Sequence, residues 1–139
     1  MRYLGLDLGS RTLGIAISDR SGTIASVYKT IRHNEEYDKL LLEIKNIKEK
    51  ELIDVIVLGF PKNMNNTIGP KGNLSIEFAD KLKQKLNIPI YLQDERLTTK
   101  QATDVLITNN TRRNKRKKVV DALAAVIILQ SYLDKGDKK

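Results

Sequence analysis

Tyr3-Leu4-Gly5-Leu6-Asp7-Leu8-Gly9-Ser10-Arg11-Thr12-Leu13-Gly14-Ile15-Ala16-Ile17-Ser18 alternates with a period of two on both sides of a short break. Successive strand residues point to opposite faces, so Leu4, Leu6 and Leu8 share one face of a first strand and Gly5 and Asp7 share the other. After the turn Ser10-Arg11-Thr12-Leu13, the bulky Leu13, Ile15 and Ile17 alternate with Gly14, Ala16 and Ser18. One face of the pair is therefore bulky and the other nearly bare, and a bare face lets something approach closely. A second turn, Asp19-Arg20-Ser21-Gly22, leads to a third strand over Thr23 to Ile31, which completes an antiparallel meander.

Beyond Ile31 the period changes to that of a helix. Asn34 reads as a cap, with Glu35 and Glu36 in the first turn and Tyr37, Leu40, Leu41, Ile44 and Ile47 at helical spacing. Val55-Ile56-Val57-Leu58 is a continuous apolar run rich in β-branched residues, the mark of a strand buried on both faces and hence parallel to its neighbours. A loop from Gly59 to Gly72 follows, long enough to suggest function. Ser75 to Leu86 reads as a second helix with Phe78, Ala79, Leu82 and Leu86 inward, and Pro89 to Gln93 as a fifth strand. Thr98 opens a third helix, with Gln101 at capping-box spacing. The basic segment Arg112 to Lys118 then leads into a final helix ending near Asp134. Together these predict an α/β fold: a mixed five-stranded sheet, the three-strand antiparallel meander followed by parallel strands, flanked by helices in a single domain over 1–139.

Composition narrows the chemistry. The chain has 139 residues and a formal charge of +8, with 40% hydrophobic residues, enough for a core. It has no cysteine and one histidine, His33, which excludes disulfides, thiolate metal sites, Cys nucleophiles and most His-dependent triads. Any metal must be held by oxygen. The basic balance suits a polyanion, nucleic acid first. Asp7 within the first apolar stretch excludes a signal-peptide core, and the run Ala122 to Leu129 is too short to span a membrane. A soluble, cytoplasmic protein without a membrane partner is expected.

Three carboxylates stand out. Asp7 shares a strand with leucines, and burying it is costly unless a positive group sits beside it or the strand end reaches water. Glu95 follows the Ile90-Tyr91-Leu92 strand at its carboxyl end, where open α/β sheets bind ligands. Asp94 and Glu95 point to opposite faces, so only one can enter a site; the alternative is an exposed Glu95–Arg96 turn. Asp121 is the one polar residue between Val119 and Leu129. It is either a functional carboxylate in a buried helix or that helix's N-cap. An all-oxygen set of this kind suits Mg²⁺ or Mn²⁺, and two such ions about 3.5–4 Å apart activate a water and stabilise the leaving oxygen in phosphodiester cleavage.

Six of the seven positions in Arg112-Arg113-Asn114-Lys115-Arg116-Lys117-Lys118 are cationic, a density that favours phosphate contact over a solvated loop. Neutralising about 4–6 phosphates gives a log–log salt slope near −4 to −5. Aromatic residues make up 5% of the chain, which argues against base-stacking platforms. Lys62, Lys71 and the asparagines of the Gly59–Gly72 loop can contact a sugar–phosphate backbone. The loop lacks the Gly-Lys-Ser/Thr ending of a P-loop.

Four blocks, Leu6 to Asp19, Gly59-Phe60-Pro61-Lys62-Asn63-Met64, Asp94-Glu95-Arg96-Leu97-Thr98-Thr99 and Lys118-Val119-Val120-Asp121-Ala122-Leu123-Ala124-Ala125, resemble in order the YqgF/RuvX family. Members of that family are described as Holliday junction resolvases or pre-16S rRNA nucleases. The resemblance covers essentially the whole chain. It implies an RNase H-like fold, divalent metal on Asp7, Glu95 and Asp121, and a role in maturing the 5′ end of 16S rRNA. Two departures concern loop shape and substrate fit: Asn66 stands where the family has Gly, and Gln101 where Glu is common. For a fourth carboxylate Asp19 and Asp104 are candidates, with surface roles favoured for both.

The expected protein is thus a Mg²⁺- or Mn²⁺-dependent nuclease acting on a structured rRNA precursor, with a ribosomal subunit as a further partner, as a monomer or weak dimer. Asp7, Glu95 and Asp121 are its catalytic and metal-binding residues. Arg11, Lys62, Arg96, Arg112, Arg113, Lys115, Arg116, Lys117 and Lys118 position nucleic acid. A DNA junction resolvase and a non-catalytic RNA-binding assembly factor are the alternatives. A sugar-kinase-like ATPase fragment fails for want of a second lobe.

Overall fold

The computed structural model describes residues 1–9, 11–60, 70–94 and 113–134, with the backbone alone for Phe60, residues 70–72, Asp94 and residues 113–122. Five strands, β1 (Tyr3–Leu8), β2 (Thr12–Ser18), β3 (Ala25–Arg32), β4 (Val55–Phe60) and β5 (Ile90–Asp94), form one sheet in the order β3-β2-β1-β4-β5. The pairs β1–β2 and β2–β3 are antiparallel, whereas β1–β4 and β4–β5 are parallel. The expected meander and the two parallel strands are therefore present, with β1 at the centre.

Three described helices cover the sheet: α1 (Tyr37–Glu51), α2 (Pro70–Leu86) and α3 (Arg113–Asp134). Leu4, Leu6 and Leu8 join Leu40, Leu41, Ile44, Phe78 and Leu82 in a core between the sheet and α1 and α2. On the opposite face Ala16 and Val57 meet Ala125, Ile128, Leu129 and Leu133 of α3. The period-two pattern of β1 thus separates two layers of unlike bulk.

Several element boundaries depart from the sequence expectation, each for a local reason. α1 starts at Tyr37 and not just after Asn34; Glu36 stands at the N-cap without a side-chain cap bond, and Glu35 takes a positive φ of 64°. The Glu35 N–H donates to His33 Nδ1 at 3.0 Å, which holds the chain in a turn until Glu36. α2 starts at Pro70, five residues earlier than read, so Gly72 is helical. Proline suits a first helical position because its φ is preset and its missing N–H has no intrahelical partner there. β4 runs on through Gly59 to Phe60. The basic run is not a lead-in to the last helix: from Arg113 onward it forms that helix's first turns. Nor is this helix buried all round; Ala124, Ala125, Ile128, Leu129 and Leu133 are buried, while Val126 and Ile127 are half-buried. The helix read from Thr98 lies outside the described residues. No described helix is long and apolar enough to cross a membrane.

Candidate active site

Strand register sets out the floor of the site. Gly5 pairs with Ala16 on one side and Val57 on the other, and Val57 pairs with Tyr91, so these four cross the sheet in one row. Two residues further toward the carboxyl ends, Asp7 pairs with Gly14 and Gly59 pairs with Gln93. The parallel β1–β4 register runs through Leu6 and Leu58, and its next step sets Asp7 beside Gly59. The row Gly14–Asp7–Gly59–Gln93 therefore carries a half-buried carboxylate between two glycines, with a buried amide beyond. All four lie on the same face as Gly5, because strand side chains repeat every two residues.

That face belongs to α3, which runs antiparallel to β1. The Tyr132 ring lies 6.0 Å from that of Tyr3, and a Cβ added at Gly5 would come within 2.7 Å of Leu129 Cβ and 3.1 Å of the Ala125 carbonyl. What approaches the bare face is thus the last helix itself. Positions 121, 125 and 129 share one helical face, so position 121 lies one turn beyond Ala125, toward the Asp7 end of β1. Asp121 stands more than two turns inside the helix, which removes the N-cap explanation for it. Gln130 fixes the helix to the sheet edge: its Oε1 accepts from the Ala25 N–H at 2.9 Å and its Nε2 donates to the Thr23 carbonyl at 3.0 Å.

The turn after Asp7 is held equally firmly. The Gly9 N–H donates to the Thr12 carbonyl at 2.8 Å, and the His33 N–H donates to the Arg11 carbonyl at 2.9 Å. His33 Nε2 lies 3.1 Å from the Gly9 carbonyl, which can only accept, while Nδ1 accepts from Glu35. Those partners assign the neutral Nε2–H tautomer. The histidine thus clamps the Gly9–Thr12 turn, a role the sequence did not reveal because its partner lies 24 residues away. Arg11 is exposed at this turn, beside the carboxyl end of β1.

Of the remaining expected residues, Glu95, Lys62, Arg96, Arg112 and Asp104 lie outside the described residues. Arg113, Lys115, Arg116, Lys117 and Lys118 lie in the first turns of α3, and the first turn of that helix holds no acidic residue. Among the described residues no group of three His, Cys, Asp or Glu side chains is placed to hold a metal ion. Asp19 is committed to structure. Its carboxylate accepts from Ser21 Oγ at 2.7 Å and from the Thr23 and Ile24 N–H groups at 2.8 and 3.1 Å, and these bonds lower its pKa to about 2. It follows the last residue of β2, at the end of the sheet away from the Asp7 row.

This architecture, with an acidic residue on the central strand and a helix crossing its face, defines an RNase H-like fold. Two solved structures share it at the level of the fold: RuvC of Thermus thermophilus in complex with a Holliday junction substrate (TM-score 0.63, 14% identity, covering 100% of this chain and 98% of that one) and a second Thermus thermophilus RuvC structure (TM-score 0.58, 12% identity, 97% and 95%). Within that class the chain belongs to the RuvX family, described as Holliday junction resolvase, whose model matches residues 1–135. Relatives named "Putative pre-16S rRNA nuclease" include those of Bacillus subtilis strain 168, 53% identical over 96% of this chain and 98% of the relative, and Clostridium botulinum strain Hall, 52% identical over 99% and 100%.

Proposed function

We propose that this chain is a divalent-metal-dependent nuclease that hydrolyses phosphodiester bonds in 5′-end processing of pre-16S rRNA, working in the cytoplasm as one domain over residues 1–139. The observation that carries the reading is Asp7 itself: a half-buried carboxylate at the carboxyl end of the central strand, flanked by glycines, on the face that α3 crosses. Full-length similarity to relatives carrying the nuclease name supports the substrate class.

Asp7, Glu95 and Asp121 are the proposed holders of Mg²⁺ or Mn²⁺. The donor chemistry fits: the chain has no cysteine, and both nitrogens of its one histidine are already bonded, which leaves oxygen. When bound, such an ion polarises the phosphate and lowers the pKa of water. The chain's own residues do the positioning. The clamped Gly9–Thr12 turn fixes the end of β1, and Gln130 fixes α3 on the sheet, so the two acidic positions keep their relation. Arg113, Lys115, Arg116, Lys117 and Lys118 gather positive charge at the amino end of α3, where the helix dipole adds attraction for phosphate. Arg11, Lys62, Arg96 and Arg112 complete the basic rim. The polyanion offsets the repulsion among these cations that no first-turn acid relieves.

The experiment is cleavage of a pre-16S 5′ leader RNA beside a four-way DNA junction, each with Mg²⁺ and with Mn²⁺. Metal-dependent cut of the leader supports the proposal, and preference for the junction makes the chain a DNA resolvase. Binding without cleavage of either makes it an assembly factor.

A further inference from the structure

Gln93 carries a feature that its neighbours do not explain. The residue is 8% exposed, and among the described residues its Oε1 meets no hydrogen-bond donor. Buried acceptors are ordinarily satisfied, so an orphan in a polar row points to a missing partner. Its face is fixed by two observations: Tyr91, two residues earlier, stacks on Tyr132 of α3 at 5.7 Å, and Gln93 pairs with Gly59 in the row that contains Asp7. With strands about 4.8 Å apart, the Cα atoms of Asp7 and Gln93 stand about 10 Å from each other. Between them Gly59 contributes no side chain. The carboxylate and the amide thus stand on either side of Gly59 in one row, at the carboxyl ends of the strands.

Resting on the metal-site reading above, we propose that Gln93 is a positioning residue for the divalent cation: its Oε1 accepts a hydrogen bond from the ion's hydration shell. An amide oxygen is an acceptor only, and hydrated Mg²⁺ or Mn²⁺ presents donors outward and gives up its waters reluctantly. The amide adds no charge, so it orients the hydrated ion against Asp7 without deepening the negative field that a phosphate backbone must enter. Groups that orient metal ligands or their waters typically change metal affinity 10–100-fold when removed.

The test is calorimetric titration of RNA-free protein with Mn²⁺, with melting curves of the metal-free forms, for wild type, Gln93→Leu, Gln93→Glu and Asp7→Asn. Gln93→Leu should weaken Mn²⁺ binding about 10-fold while its metal-free melting temperature holds or rises, since an unsatisfied buried acceptor has been removed. Gln93→Glu should bind Mn²⁺ more tightly than wild type and serves alone if the leucine variant does not fold. Unchanged Mn²⁺ affinity in the Gln93 variants, with Asp7→Asn impaired, overturns the role of Gln93 and leaves the carboxylate reading standing. A wild-type protein that takes up no Mn²⁺ overturns both.

Discussion

The two faces of β1 obey different rules. On one, Leu4, Leu6 and Leu8 are buried against α1 and α2 in a layer of large aliphatic and aromatic side chains. On the other, Gly5 lets α3 come within a methyl group's width, and one step further Asp7 and Gln93 stand in a row with two glycines. The first face is filled by large side chains; the second is closed by α3 around Gly5 and carries polar side chains beyond it. Packing against α1 and α2 and the candidate chemistry thus lie on opposite sides of the strand, only one residue apart along the chain.

Substitutions can separate the two. Leu6→Ala removes a fully buried side chain from the bulky face and should cost about 2–5 kcal/mol in denaturant unfolding. Protein that stays folded should keep its metal dependence; a changed metal requirement would mean that the two faces are not independent. Gly5→Ala tests the other face at its closest contact. The new methyl meets Leu129 Cβ and the Ala125 carbonyl, neither the free end of a flexible chain, so overpacking should cost about 1–3 kcal/mol. Because α3 must shift, cleavage should fall further than the lost stability explains, which a rate measured well below the melting point will reveal.

His33→Ala asks whether the turn after Asp7 must be held. It leaves the Gly9 carbonyl and the Glu35 N–H without their partner, for about 1–2 kcal/mol and a slower cleavage rate. The smallest effect is expected at Asp19, far from the Asp7 row. Its folded pKa is lowered to about 2 from an ordinary 3.8, so its contribution is present above pH 3.8 and fades as pH falls toward 2. Asp19→Asn should melt slightly below wild type at pH 7, with the gap closing by pH 2, and cleavage at neutral pH should be unaffected.

How much of this was legible in the sequence follows the same division. The bulky face could be read because leucine and isoleucine at period two determine a strand face wherever the strand ends up. The bareness of the other face was equally plain, but not its occupant: Gly5 meets Leu129, and sequence periodicity says nothing about contacts over that separation. The starts of α1 and α3 were not legible in the local pattern. The His33–Glu35 bond delays α1, and α3 begins inside the basic run. That earlier start is what takes Asp121 off the helix terminus, a distinction the local sequence left open. Gln93 reads as one polar residue in a short strand, and only the register across β4 sets it in the row of Asp7.

The most direct test of the division is cleavage by Asp7→Asn, which keeps the shape of the side chain and removes its charge. Metal-dependent cleavage of the leader RNA should fall by at least about 100-fold, on the scale of losing a principal catalytic group. RNA binding should be retained or tightened, because a negative charge near the phosphates is gone. Cleavage at the wild-type rate by a folded Asp7→Asn protein would contradict the account.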